Sequence, residues 1–147
     1  MKKVLLLSVC FMLMGCVSAT ITQYDNIDKS KNISVSRTQS TLSSSLINTL
    51  YANDYDVFIK NKNTDVGYVT IKSNYELLVD ANAYDICFVG GNAYVFSLSI
   101  VDLANSKEVF NYSGRGCHDT IVKNFTKLIN NEQPEEDSAT EILDLRK

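Results

Sequence analysis

The chain has 147 residues, a formal net charge of −3 and no block of Lys or Arg, a balance that argues against nucleic acid as a partner. At this length one compact domain is expected. A single His, a single Pro, no Trp and eight Tyr, set among many Asn and Ser, describe a domain with polar turns and no evident cofactor signature.

Met1-Lys2-Lys3 opens a charged leader, followed by the apolar run Val4 to Met14, broken only by Ser8, and then by Gly15-Cys16-Val17-Ser18. A run of about a dozen apolar residues is too short for a roughly 30 Å hydrocarbon core, which takes about twenty. Residues 1–15 therefore read as an export signal and not as a transmembrane helix. Leu13-Met14-Gly15-Cys16 resembles the lipobox of bacterial lipoproteins: an aliphatic residue, a small one two positions later, then the modified cysteine. Met14 is a less usual second residue of that box. The resemblance implies a diacylglyceryl group on the Cys16 thiol, cleavage between Gly15 and Cys16, and acylation of the new amino terminus. Two or three acyl chains give stable anchoring where a single chain does not. A cut after Ala19 would instead discard Cys16, but the apolar run stops against Gly-Cys and not at an Ala-x-Ala site. In a Gram-negative host, Val17 stands where an Asp would retain the protein in the inner membrane, so the expected location is the periplasmic face of the outer membrane.

Loss of Lys2 and Lys3 with the leader moves the charge to about −5. Residues 16–37 are rich in Ser, Thr, Asn, Asp and Lys with scattered apolar positions, and read as a flexible tether ending in a short edge strand near Ile33 to Ser36. From Thr41 the period becomes helical: Leu42, Leu46, Ile47, Leu50 and Tyr51 form a stripe, Ser40 or Thr38 is the candidate N-cap, and Asn53-Asp54 ends it. Val57-Phe58-Ile59 then reads as a short strand, with Gly67 to Ile71 as its return. Leu77 to Val89 is a longer extended stretch with a break expected near Asp80 to Asn82, and Gly90-Gly91-Asn92 is a turn signal. Tyr94, Phe96, Leu98 and Ile100 alternate with small polar residues as a half-buried strand, and Glu108 to Ser113 pairs back after the Leu103 to Lys107 turn. Ile86 to Gly114 thus reads as a three-stranded meander. Asp119 or Thr120 would cap a second helix with an inner face of Ile121, Val122, Phe125, Leu128 and Ile129.

Residues 131–147 turn acidic and read as disordered or as a loosely held helix, the alternative being that Ile142, Leu143 and Leu145 dock as a short amphipathic stretch. The domain proper is 38–130. Helix, strands, then helix predict an α+β fold: a single antiparallel or mixed sheet of about 4–5 strands, with both helices on one face and the other face available.

Ser97 to Phe110, followed by Tyr112-Ser113-Gly114-Arg115-Gly116, resembles a segment of the periplasmic domains of curli-secretion lipoproteins, lipoprotein activators of penicillin-binding proteins and flagellar-assembly lipoproteins. There a strand ending in Val-Asp, here Val101-Asp102, turns into a second strand, then a Gly-rich exit and a helix. Ser106 stands where those families place a turn glycine, and the cysteine pair has no counterpart in them. The resemblance implies a non-catalytic α+β domain that docks on a protein partner of the envelope. The competing expectation is a lipoprotein that captures a ligand or acts as an inhibitor.

Cys117-His118-Asp119 is the one place where a nucleophile, a base and a carboxylate crowd together. Neighbours in sequence rarely face one another, and a working Cys-His pair is usually assembled from distant positions. A zinc site from Cys87, Cys117 and His118 lacks a fourth ligand and paired spacing, so neither catalysis nor a metal is expected. Export to an oxidising compartment makes a Cys87–Cys117 disulfide the expected pairing. On alternate strands of the meander the two would lie about 10 Å apart, beyond the roughly 4.4–6.8 Å a disulfide tolerates, so the Gly114-Arg115-Gly116 exit would have to cross the sheet end. Arg115, between two glycines, is a candidate partner contact, the plainer reading being a charge in a flexible turn.

Overall fold

In chain order the computed structural model, which describes residues 18–36, 38, 40–60, 73–135 and 140–146, contains β1 (Ala19–Gln23), β2 (Ile33–Ser36), α1 (Thr41–Ala52), β3 (Val57–Lys60), β4 (Tyr75–Ile86), β5 (Asn92–Asp102), β6 (Lys107–Cys117), α2 (His118–Ile129) and β7 (Thr140–Asp144). The lipobox with Cys16 and the strand expected at Gly67 to Ile71 lie outside the described residues.

Among the described residues the class is α+β with two helices, as expected, but the sheet has seven strands in the order β3-β2-β4-β5-β6-β1-β7. Its centre is the antiparallel meander β4-β5-β6, flanked by parallel pairings of β2 with β3 and β4, and of β7 with β1. The surplus over the expected 4–5 strands comes largely from segments read as tether and tail. β1 lies between β6 and β7, with Ala19, Ile21 and Gln23 facing inward, and β7 pairs along its full length with β1. Both expectations of disorder are thereby corrected. Ile21 and Ile142 are the large inward side chains of these two strands, too few to announce either from sequence, yet cross-strand pairing supplies what local pattern does not.

α1 forms as the stripe predicts. Leu42, Leu46, Ile47 and Leu50 are buried, while Tyr51 stays exposed. The Ser40 hydroxyl accepts from the Ser43 N–H at 3.0 Å, a cap worth about 1 kcal/mol. Asp54, at φ 63°, turns the chain out of the helix. α2 starts two to three residues earlier than expected, directly from β6 at His118 with Cys117 as its N-cap, and buries Ile121, Asn124, Phe125, Leu128 and Ile129. Asp119 in its first turn and Lys127 in its last complement the helix dipole. The helices lie side by side in the same direction: Ser45 meets His118 near their starts and Asn53 meets Asn130 at their ends.

Both cover one face of the sheet, over Ile21, Ile33, Val35, Tyr75, Leu77, Phe96, Leu98, Ile100, Phe110 and Tyr112. Edge-on aromatic pairs, Phe96 with Tyr112 at 4.7 Å and Phe110 with Phe125 at 6.1 Å, lock the strands to one another and to α2. The break in β4 falls at Tyr84, between Ala83 and Asp85, and not at Asp80 to Asn82. Ser106, at the position of the turn glycine, takes φ 58°.

Candidate functional site

Cys87, just past the end of β4, and Cys117, the last residue of β6, form a disulfide with Cα atoms 5.9 Å apart. The expected route to this bond needs correction. Gly114, Arg115 and Gly116 do not cross the sheet end; they stay in register with Phe96, Val95 and Tyr94 of β5. It is the β4–β5 tip that folds over. Gly90 and Gly91 take φ 101° and 78°, a conformation that side chains resist, the Cys87 N–H donates to Gly91 O at 2.8 Å, and the Asp119 N–H donates to Gly90 O at 3.2 Å. The tip is thus pinned to β6 and to the first turn of α2.

That pinning leaves apolar side chains in water. Ile86, Phe88 and Val89 are 77%, 105% and 80% exposed. Each would gain about 1.5–3 kcal/mol on full burial, so three together form a surface with unspent binding energy. The extended stretch expected over Leu77 to Val89 thus ends at Ile86, and Gly90-Gly91 directly after Val89 is the signal that Phe88 and Val89 belong to a turn.

Arg115 is exposed, its guanidinium 5.9 Å from the centre of the Tyr84 ring. Its backbone N–H donates to Ser18 O at 2.8 Å, which fastens the start of β1 to this end of the sheet. Gly114 beside it has φ 137°, and a Cβ there would meet Ser18 O at 2.3 Å, so β1 can approach only a glycine.

The sulfur of Cys117 is held in the disulfide, so the Cys-His-Asp run supplies no thiol. The structure gathers a different set: His118 Nδ1 lies 2.9 Å from Asp119 Oδ1, and Nε2 lies 2.9 Å from Ser45 Oγ on α1. No sequence signal linked Ser45 to His118. Hydroxyl, imidazole and carboxylate stand in the order of a nucleophile relay, but Ser45 lies inside a helix whose amides are engaged in the i→i−4 ladder, so its own helix offers no free donor pair for an oxyanion. What the set does is tie the start of α2 to α1. Among the described residues no three His, Cys, Asp or Glu gather to hold a metal ion.

Two other surfaces stand out. The sheet face away from the helices carries rows of short polar side chains, Asp80–Ser97–Ser113–Thr20 and Leu78–Ser99–Asn111–Thr22, with Leu78, Val95 and Leu143 exposed among them. At the end of the molecule opposite the tip, a pocket of about 410 Å³ is lined by Tyr24, Tyr75, Asp25, Asp102, Glu108 and Lys107, among others.

No protein-family model matches the chain, and no curated protein matches it significantly. Solved structures do resemble it. A PelC dodecamer from Paraburkholderia phytofirmans, in space group P6, aligns with 80% of this chain and 99% of its own at a TM-score of 0.53 and 16% identity. A single-substitution form of that PelC, in space group C2, aligns with 78% of this chain and 92% of its own at a TM-score of 0.46 and 18% identity. The likeness shows a shared fold. At such identity it carries no residue roles across.

Proposed function

We propose that this chain is a non-catalytic interaction module of the bacterial envelope, held by lipid on Cys16 at the periplasmic face of the outer membrane and docking there on a protein partner. The observation that carries the proposal is the uncovered face of the sheet. Both helices lie on the other side, so a broad surface of Ser, Thr and Asn rows with exposed Leu78, Val95 and Leu143 has nothing over it among the described residues. Short side chains on rigid strands present a surface that a partner can meet at little cost in side-chain entropy. The PelC structure of the same fold is a dodecamer, which makes further copies of this chain one form the partner could take.

The test is a cross-linking pull-down from detergent-solubilised envelope. The native chain is compared with Ser97→Arg/Ser113→Arg, which places two long charges on the central rows, and with Cys16→Ser, which removes the anchor. Capture of one envelope protein, or of further copies, that is lost in the double variant supports the proposal. A capture unchanged by the double variant moves the interface elsewhere, and no capture at all contradicts the interaction module.

A second reading, a ligand-binding lipoprotein, draws on the pocket at the far end. Its three carboxylates beside Lys107, with Lys31 3.8 Å from Asp102, would favour a small cationic or polyhydroxylated ligand. A bound small molecule released on denaturing the purified protein would favour this reading.

A further inference from the structure

Resting on the lipid-anchor reading, we propose that the stapled β4–β5 tip is a membrane-contacting prong: Ile86, Phe88 and Val89 dip into the interface of the same bilayer that holds the acyl chains of Cys16. Strand register puts Ser18 and the tip at one end of the molecule. Ala19 pairs with Gly114, so Ser18 stands beside Arg115, its carbonyl accepting from the Arg115 N–H at 2.8 Å. Arg115 pairs with Val95, and Val95 with Asn82. Along β5 from Val95, Asn92 lies three residues, roughly 10 Å, farther out, and the tip projects beyond it. Cys16 precedes Ser18 by two residues, a reach of at most about 7 Å. Lipid on Cys16 and the apolar prong therefore address the same plane.

The chemistry of the two ends fits that orientation. At the anchor end Ile86, Phe88 and Val89 project, with the polar Asp85, Asn92 and Asp119 beside them, and the half-exposed Tyr84, with Arg115 beside its ring, stands one level back. Tyr and Arg are side chains that favour the headgroup region. The opposite end carries Asp25, Asp102 and Glu108 together with Lys31 and Lys107, and has no comparable projecting apolar group among the described residues. The disulfide and the bonds to Gly90 and Gly91 fix the prong before it meets lipid, so insertion orders nothing further. A second attachment point would also set the domain's orientation, turning the open sheet face sideways, parallel to the membrane normal and accessible to a neighbour.

The chain holds no tryptophan, so Phe88→Trp adds a sole indole reporter at a fully exposed position. The lipidated full chain carrying it is reconstituted into phosphatidylethanolamine–phosphatidylglycerol vesicles doped with lipids brominated at different depths of the acyl chain. Leu103→Trp, in the turn at the far end, serves as the reference, and intact mass verifies the lipid on Cys16 and the disulfide. The expected result is blue-shifted emission at position 88, quenched more by bromine near the glycerol than near the chain end, since interfacial insertion is about 5–10 Å deep; position 103 stays red and unquenched. Lipidated protein whose position-88 emission is unquenched overturns the prong and leaves the anchor standing. A blue shift without bromine quenching places the tip against protein and also overturns it. An unlipidated chain overturns the anchor reading, and the prong falls with it.

Discussion

At the scale of single residues, the C-terminal strand is finished by one ion pair. Arg146 Nε and Nη2 donate to Asp144 at 2.9 and 2.6 Å, and its backbone N–H adds a third bond at 3.1 Å. These bonds pull the Asp144 carboxyl down from an ordinary value of 3.8 to about 2. A carboxyl lowered on folding stabilises the fold above its unfolded value and loses that contribution as the pH falls from about 4 through about 2. Acid titration of stability should therefore show a steeper loss over that window for the native chain than for Arg146→Gln, the two curves converging at the acid end. Burial, with the hydroxyl donating to the Ile129 carbonyl, pushes the Tyr55 phenol well above its usual range, which keeps it neutral and donating at every pH at which the fold is tested. Residue-scale features of this kind had no trace in the sequence. Asp144 and Arg146 stood in a tail read as unstructured, and Ser45 joined His118 only because two helices start side by side.

Elements explain both what was legible and what was not. The stripes of α1 and α2 and the Tyr94 to Ile100 alternation are strong periodic signals, and the elements formed where those signals lay. β1 and β7 carry little apolar content and owe their existence to pairing: β1 fits because Gly114 admits the Ser18 carbonyl, and β7 follows because β1 offers it a free edge. Gly114→Ala should consequently destabilise the protein by at least about 2 kcal/mol, read by chemical denaturation, because a Cβ would strike backbone and φ 137° is strained for a side chain. The tip was half legible. The cysteine pair and Gly90-Gly91 announce disulfide and turn, but the extended stretch expected to Val89 stops at Ile86, and nothing local distinguishes a projecting Phe88 from a core one. The disulfide closes a separation of 30 residues, so the Cys87→Ser/Cys117→Ser pair, or reduction, should cost about 3–4 kcal/mol, measured as a shift of the urea midpoint. A shift well under 1 kcal/mol would mean that the bonds to Gly90 and Gly91 hold the tip unaided.

On the scale of the whole molecule, the fold separates its surfaces. Helices cover one side of the sheet, the other side is open, the apolar tip and Ser18 share one end, and the carboxylate-lined pocket sits at the other. With Ser18 already beside Arg115, position 16 precedes Ser18 by two residues, so a lipid on Cys16 would have a short link to the domain where the sequence alone suggested a long tether. A lipid on Cys16 would thus hold the domain close against the bilayer and limit which of its faces a partner can reach. The shared fold with PelC could not have been read from the sequence, since at 16% identity it resides in strand order and packing and not in any motif. The most direct measurement is the intact mass of the mature protein purified from separated inner- and outer-membrane fractions. The expected result is a chain beginning at Cys16 with acyl groups on it, recovered with the outer membrane and with Cys87 and Cys117 oxidised. An unmodified chain beginning at Thr20 and recovered in the soluble periplasm would contradict it.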